Sequence, residues 1–235
     1  MNKNFSFPRI YTLTISCLIA LSMQLGTISA EGSWQTHPST GCKVWNDDPG
    51  TDRTFTWTGN CKNGYIEGPG TLQWFEKGAP GDKYVGQYLR GKAHGRGVFS
   101  WSSPAARYEG DFFDGERTGK GVQFFANGDR YEGDWRNDLP NGKGLYIWIN
   151  EDRYQGDFVD GKPQGKGVEI WTDGTRYEGD FANGLPNGKG IKTWIKGARY
   201  EGDFLNGKMH GYGVITLRNG REFRGKWEND NYLGP

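Results

Sequence analysis

Few side chains in this sequence have the types and spacing that catalysis or metal binding requires. The histidines are His37, His94 and His210, and imidazole is a common general base and metal ligand. His94 and His210 occupy equivalent positions of a repeated unit, five units apart. At roughly 10 Å of sheet per unit, they lie too far apart to share a metal ion. We therefore predict that both are turn residues, and we expect no metal and no other cofactor.

The carboxylates outside the repeats form one short cluster. Asp47, Asp48 and Asp52 lie beside Pro49 and Gly50. Neighbouring carboxylates can act as general acid and base, but Asp, Pro and Gly together are typical of a turn. The turn is the favoured interpretation, and an acid site is the alternative. Because the sequence also lacks a Gly-x-Ser-x-Gly nucleophile motif, the protein is predicted not to be an enzyme.

Composition narrows the fold that must position these residues. The chain has 235 residues, of which 39 are glycine, 34% are hydrophobic and 15% are aromatic. So many glycines oppose a helical bundle, the aromatic content opposes disorder, and the strict three-residue period of collagen is absent. A β-protein remains. The formal net charge of +1 provides no field that would attract nucleic acid, so no nucleic-acid partner is expected.

Residues 1–30 have the composition of an export signal. Lys3 and Arg9 precede an uncharged, Leu- and Ile-rich stretch at 10–28, and Ser29-Ala30 precede the first acidic residue. This order predicts a secretory signal peptide that is cleaved near Ala30. An uncleaved membrane anchor is the alternative. The predicted location is therefore the periplasm, the cell envelope or the medium.

Two cysteines, Cys42 and Cys61, remain after residue 30. An exported chain meets an oxidising compartment, where an even number of cysteines favours a disulfide bond. We predict a bond between Cys42 and Cys61, with two free thiols as the alternative.

A unit of 23 residues recurs along the rest of the chain. The unit pattern is aromatic-x-Gly-x-aromatic, followed by glycine at unit positions 8, 12 and 14 and a large apolar residue at position 18. The first aromatic residues are Trp57, Tyr84, Tyr108, Tyr131, Tyr154, Tyr177 and Tyr200. The paired glycines at positions 12 and 14 are Gly68 and Gly70, Gly95 and Gly97, Gly119 and Gly121, Gly142 and Gly144, Gly165 and Gly167, Gly188 and Gly190, and Gly211 and Gly213. The aromatic residues at position 18 are Trp74, Trp101, Phe125, Trp148, Trp171 and Trp194. A truncated last copy of the unit begins at Phe223.

The unit pattern predicts a β-hairpin. Positions 1, 3 and 5 lie on one face of a first strand, positions 6–12 are turn-like, and a second strand begins at position 13. Because one hairpin cannot bury its apolar face alone, the units are predicted to stack. The predicted fold class is all-β: an elongated, open and twisted single antiparallel sheet of tandem hairpins. Aliphatic residues at position 15 leave two alternatives, either two partly apolar faces or a β-bulge near the paired glycines.

Charged residues also recur at fixed unit positions. Position 4 is acidic, as in Asp180, and positions 13 and 23 are basic, as in Lys189 and Arg199. Opposite charges in such columns predict cross-strand ion pairs on a solvated face. A binding role for the columns is the alternative.

The units resemble MORN (membrane occupation and recognition nexus) repeats over residues 57–235, with seven full units and one truncated unit. This resemblance implies a single twisted sheet with a groove, used for protein interaction or dimerisation. Residues 31–56 remain as an N-terminal cap. In that cap, Trp34, Trp45 and Phe55 are predicted to cover the open end of the sheet, since an unprotected edge would pair with other chains.

We therefore predict an exported, non-catalytic repeat scaffold. It would bind an unidentified protein partner along its aromatic groove or at a sheet edge, and a homodimer is a further alternative. A cell-envelope glycan is an alternative ligand, because rows of Trp and Tyr offer flat faces to sugar rings. The opposing interpretation is that these rings only pack the fold. A lipid headgroup at a membrane surface is a further alternative ligand, which the near-neutral charge of the chain disfavours.

Overall fold

The computed structural model describes residues 32–48 and 53–235. The predicted signal peptide at 1–30 lies outside the described residues, as does Asp52 of the acidic cluster. Within the described ranges, no helix is long and apolar enough to cross a membrane.

The described chain consists of strands and short turns. The strands are β1 (Ser33–Thr36), β2 (Lys43–Asn46), β3 (Arg53–Trp57), β4 (Asn60–Lys62), β5 (Tyr65–Glu76), β6 (Ala79–Leu89), β7 (Lys92–Ser102), β8 (Ala105–Phe113), β9 (Glu116–Phe124), β10 (Arg130–Arg136), β11 (Leu139–Ile147), β12 (Arg153–Val159), β13 (Lys162–Ile170), β14 (Arg176–Ala182), β15 (Leu185–Thr193), β16 (Arg199–Leu205), β17 (Lys208–Thr216), β18 (Glu222–Glu228) and β19 (Asn231–Gly234). They form one open sheet of 19 strands. From β5 onward each strand pairs antiparallel with the next, which confirms the predicted fold class.

The turn inside each hairpin is shorter than predicted. In the unit that begins at Tyr177, only Asn183 and Gly184 connect β14 to β15, with φ angles of 53° and 84°. Two consecutive positive φ values define a type I′ turn, whose twist matches that of the flanking strands. The prediction that positions 6–12 form the turn is therefore wrong, because the second strand already begins at position 9 (Leu185).

A β-bulge explains why the later glycines resembled a turn. The register between β14 and β15 shifts between Gly179 and Phe181, and Gly188 has a φ of +113°. The Lys189 backbone N–H donates to the Asp180 carboxylate at 3.0 Å, which holds the bulge. The positive φ favours glycine inside the strand. Position 15 still lies on the face opposite position 18, so both faces are partly apolar.

One face of the sheet carries a ladder of tyrosines. The position 1 tyrosines have an exposed fraction of 0%: Tyr84, Tyr108, Tyr131, Tyr154, Tyr177 and Tyr200. The Tyr177 ring lies over Gly179 and Gly190, where an added Cβ would come within 2.6 Å of it. Phe181 and Phe204 contact the same ring edge-on, at centroid distances of 5.2 and 4.8 Å. The position 3 and 14 glycines are therefore the surface on which the tyrosines lie, and the phenylalanines fill the gaps between them.

Backbone hydrogen bonds connect each unit to its neighbours at the hairpin ends. The Gly184 N–H donates to the Pro163 carbonyl at 3.0 Å, and the Gly207 N–H donates to the Pro186 carbonyl at 2.8 Å. The turn of one unit therefore covers the second strand of the unit before it. Stability must then come mainly from interactions between adjacent units, as in other repeat arrays.

The N-terminal segment is attached to the first two units. The predicted disulfide bond between Cys42 and Cys61 is present, with Cα atoms 5.9 Å apart. The Trp45 N–H donates to the Gly91 carbonyl at 2.9 Å, and Trp34 contacts the rings of Trp45 and Tyr65.

Phe55 belongs to a strand of the sheet itself. It lies in β3, which pairs with β5, and its ring is buried against Trp74 at 5.4 Å. The expected cap boundary at residue 56 therefore falls inside β3, one residue before its end.

Candidate functional site

The face opposite the tyrosine ladder, called the charged face below, presents three rows of side chains across the strands. One row alternates position 2 with the aliphatic position 15, so that Ile191 lies between Glu178 and Glu201. A second row alternates the basic position 23 with position 17, and a third alternates the acidic position 4 with the basic position 13. The charged face is therefore a regular surface of aliphatic side chains among fixed charges.

The ion pairs on the charged face are of two kinds. Lys166 pairs with Asp180 on the neighbouring strand at 2.5 Å, as the columns predicted. The Lys166 ammonium, which hydrogen-bonds to Asp180, holds the pKa of that carboxyl below its ordinary value. Arginines at unit position 23 instead pair within their own strand, as in Arg176 with Glu178 at 2.6 Å, so the cross-strand prediction is wrong for them. These exposed pairs contribute only a few tenths of a kcal/mol each, about 0.2–1 kcal/mol.

A groove of about 870 Å³ runs over the C-terminal half of the charged face. Its floor includes Ile191 and Val214, and the strand register places the charged Glu201 between them in the same row. Charged side chains from five strands line the groove. The charged lining residues are Lys166, Glu178, Lys189, Arg199, Glu201, Glu222 and Arg224.

The aromatic residues at unit positions 1, 5 and 18 do not line this groove. The tyrosine ladder is fully buried on the other face, and Trp57 takes the place of a tyrosine over Gly59 and Gly70. The position 18 side chains differ among themselves, since Trp74 and Phe125 are buried. The half-buried ones are Trp101, Trp148, Trp171 and Trp194. The position 1 tyrosines therefore do not themselves form an open groove, because neighbouring rings cover them.

The last repeat reverses the charges of the repeats before it. At unit positions 23, 2 and 4, β16 carries Arg199, Glu201 and Asp203, whereas β18 carries Glu222, Arg224 and Lys226. The strand between them, β17, has the exposed Tyr212 at position 13, and the Lys226 ammonium lies 5.8 Å from the centre of its ring. Sequence reasoning described the charge columns only as far as Arg199 and Asp203 and missed the reversal, although the sequence alone contains it.

His94 and His210 do not come together, and the prediction that they are turn residues is wrong, because His94 lies in β7 and His210 lies in β17. The His94 ring contacts Phe113 at 5.2 Å, and the His210 carbonyl accepts from the Tyr200 hydroxyl at 3.5 Å. His37 lies in the N-terminal segment, where its Nδ1 accepts from two backbone N–H groups at 3.3 Å. Within residues 32–48 and 53–235, no three His, Cys, Asp or Glu side chains could hold a metal ion.

The described part of the acidic cluster forms local contacts. Asp47 accepts a hydrogen bond from the Trp45 indole N–H at 2.5 Å, and burial raises the pKa of its carboxyl. The Asp48 N–H donates to the Asn46 side chain at 3.1 Å. These contacts fit the turn interpretation.

Arg117 is a buried charge that the repeat pattern did not indicate. It stands at unit position 10, where later units have proline or methionine, and it is only 4% exposed. Its guanidinium donates to the Asp138 carboxylate at 2.8 Å and to the Gln123 side chain at 2.9 Å, and it lies 4.6 Å from the Trp135 ring centre. With these partners it fixes one unit boundary rather than forming an open site. The sequence does contain a signal that distinguishes Arg117, because unit position 10 is apolar in the other full units.

The fold and this face define a class of protein, a non-globular array of β-hairpins that presents one continuous charged surface. The MORN repeat model matches seven segments, at residues 57–76, 84–103, 108–130, 131–153, 154–176, 177–199 and 200–220. These segments make up more than half of the chain, which therefore belongs to the MORN repeat family.

Comparison with other proteins adds distant likenesses only. No curated protein sequence matches the chain. Among solved structures, the chain is similar to the TCP domain of SAS-4 (dCPAP) from Drosophila melanogaster, solved in complex with a proline-rich motif of Ana2 (dSTIL). The two are 9% identical, over 74% of this chain and 90% of that one, with a TM-score of 0.43. A streptogramin B lyase is 11% identical over 74% of this chain and 73% of that one, with a TM-score of 0.17.

Proposed function

We propose that this MORN repeat protein is an exported, non-catalytic scaffold that binds a protein segment in the groove of its charged face. The observation that carries the proposal is the groove itself, in which aliphatic side chains at Ile191 and Val214 alternate with charged side chains. The aliphatic side chains supply apolar surface to bury, and the fixed charges supply orientation.

Export has support from the N-terminal segment. The bond between Cys42 and Cys61 is of the kind that persists in oxidising compartments, and the order of residues 1–30 is that of a signal peptide. Cell fractionation with N-terminal sequencing would test it. The mature chain is expected outside the cytoplasm, beginning near Glu31, and a cytoplasmic chain that retains Met1 would contradict export.

A photo-crosslinking experiment tests the binding face. A photoreactive amino acid at Val214, on the groove floor, is expected to give protein adducts in the exported fraction. The same residue at Ile149, which is 70% exposed and does not line the groove, is the matched control. Adducts from neither position, or equally from both, would contradict binding in the groove.

The glycan and lipid alternatives are less well supported. The Lys192 ammonium lies 5.4 Å from the ring centres of both Trp171 and Trp194, so a cation already occupies the ring faces that a sugar would need. For a lipid headgroup, several basic side chains of the charged face, such as Lys166 and Arg176, are already paired with carboxylates. Unchanged tryptophan fluorescence on titration with envelope polysaccharide, and no flotation with anionic vesicles, are the expected results.

A further inference from the structure

The charge reversal in the last repeat falls at the C-terminal end of the groove. The strand register defines three levels along β17, and at each level a β17 residue lies between one residue of β16 and one residue of β18. Thr216 lies between Arg199 and Glu222, and Val214 lies between Glu201 and Arg224. At the third level Tyr212 pairs with Lys226, and its N–H donates to Asp203 at 3.0 Å. At every level the charges on the two sides of β17 are opposite.

This arrangement is complementary to itself under one symmetry operation. A twofold axis that runs parallel to β17, between two facing charged faces, leaves each level where it is and exchanges the two sides. It therefore places β16 of one copy over β18 of the other. Arg199 then faces Glu222 of the second copy, and Glu201 faces its Arg224, with each contact formed twice.

We propose that the C-terminal end of the groove binds a second copy of this chain through that twofold arrangement. The inference rests on the proposed function and names the partner for this part of the same groove. Charge complementarity indicates that the partner is a second copy. A surface that forms an ion pair with β16 at every level must carry the reversed charges at the same spacing, and β18 carries them. A contact that uses the same patch on both subunits is also the commonest kind of homodimer interface.

The packing distances are compatible with this contact. Facing sheets pack roughly 10 Å apart, which an arginine and a glutamate can span together. The floor residues Val214 and Thr216 would meet their own equivalents on the axis, as inward-facing side chains do in a β-sandwich. The middle repeats cannot form the same contact with one another, because Arg176 and Glu178 on β14 repeat the charges of β16.

The expected dimer is weak and sensitive to salt. Three strands of about seven residues cover roughly 300 Å² per copy, less than half of the roughly 800 Å² that a stable interface buries on each side. Because complementary charges such as Glu222 and Arg224 are exposed, added salt screens them. Dimerisation is therefore expected at high protein concentration and low ionic strength.

Two charge-swap variants test the arrangement by sedimentation velocity on the purified protein. At the first two levels, Glu222→Arg/Arg224→Glu gives β18 the charges of β16, and Arg199→Glu/Glu201→Arg gives β16 the charges of β18. Each swap keeps the net charge and an opposite-charge pair within its strand, but it places like charges opposite one another at those two levels. Either variant alone is expected to raise the dissociation constant at least about tenfold, because like charges then face one another. An equimolar mixture of the two is expected to form a heterodimer, since every facing pair is again opposite.

The control is the same swap three units earlier, Arg130→Glu/Glu132→Arg, which lies outside the groove and the contact and is expected to leave dimerisation unchanged. A monomeric native protein at low ionic strength, or two swap variants that do not restore association when mixed, would overturn the proposal. If the native protein is monomeric but Val214 crosslinks to a different protein, the second copy is excluded as the partner and groove binding stands. If neither is observed, the proposed function fails as well.

Discussion

The Gly190→Ala variant is expected to lose about 3 kcal/mol of unfolding free energy, the upper end of what overpacking costs. The φ of Gly190 is not in the left-handed region, so the cause is steric. A Cβ at this position would lie 2.3 Å from the Tyr177 hydroxyl oxygen and 2.4 Å from Cε2 of the ring. The ring cannot move aside, since Phe181 and Phe204 hold it on both sides. Urea denaturation followed by circular dichroism measures the loss.

Gly81→Ala is the matched control for this prediction. Gly81 also lies in a strand, but the nearest atom to its added Cβ is the Trp74 carbonyl oxygen at 3.5 Å, an ordinary contact. Its stability is expected to stay within about 0.5 kcal/mol of the native value. In a Tyr177→Ala background, Gly190→Ala should cost far less, because the clashing ring is gone, and a double-mutant cycle would show this coupling. Equal losses for Gly190→Ala with and without the Tyr177 ring would show that the tyrosine does not depend on glycine beneath it.

The repeat architecture could be predicted from the sequence because each unit repeats its own signals. The Tyr-x-Gly-x-Phe segment alternates as a strand does, and seven copies in register exclude chance. The turn boundaries could not be predicted in the same way. Asn183-Gly184 and Asn187-Gly188 are chemically the same pair, and only the pairing of Phe181 with Pro186 shows that the first is a turn and the second belongs to a bulge.

The face of the sheet that carries the groove could not be predicted from the sequence, because it depends on how neighbouring units pack. Large aromatic rings on one strand face fit either an open binding surface or a buried ladder. The choice depends on whether neighbouring units cover the rings. Here Phe204 of the next unit covers Tyr177, so the aromatic face is closed and the opposite face remains available. That face carries regular ion pairs, such as Lys189 with Asp203. In the sequence, such a pattern of charges is the same as that of an ordinary solvated surface.

The charge reversal shows how a site can be found in a repeat protein. Regular positions are explained by the scaffold, so departures from the repeat carry the information. Arg117 and the reversed residues of β18 are both departures, but they differ in exposure. Arg117 is buried and its guanidinium has partners in Asp138 and Gln123, so it serves the fold. Glu222 and Arg224 are exposed and line the groove, so they can serve recognition.

The tyrosine ladder is expected to make the protein unfold cooperatively in alkali. Tyrosine in an unfolded chain has a pKa of about 10, and burial raises the pKa of Tyr200 to about 12. Burial also raises the pKa of the other five ladder tyrosines, which are Tyr84, Tyr108, Tyr131, Tyr154 and Tyr177. The stability that the neutral tyrosines contribute is thus complete below pH 10 and is lost as the pH rises towards and through their folded values. In that range the unfolded chain releases protons that the folded chain retains, so rising pH favours unfolding.

Tyrosinate absorbance and circular dichroism, followed together through the pH titration, measure this effect. The ladder tyrosines should ionise only as the sheet unfolds, so the two signals should share one steep transition above pH 10. Tyr200→Phe removes one of the titrating groups and should reduce the slope of stability against pH by up to about 1.4 kcal/mol per pH unit. Tyr212→Phe is the control, because that ring is 59% exposed and lies outside the ladder. Tyrosines that ionise gradually around pH 10, while circular dichroism remains native, would show that the ladder is open to solvent and that the aromatic face could still bind a partner.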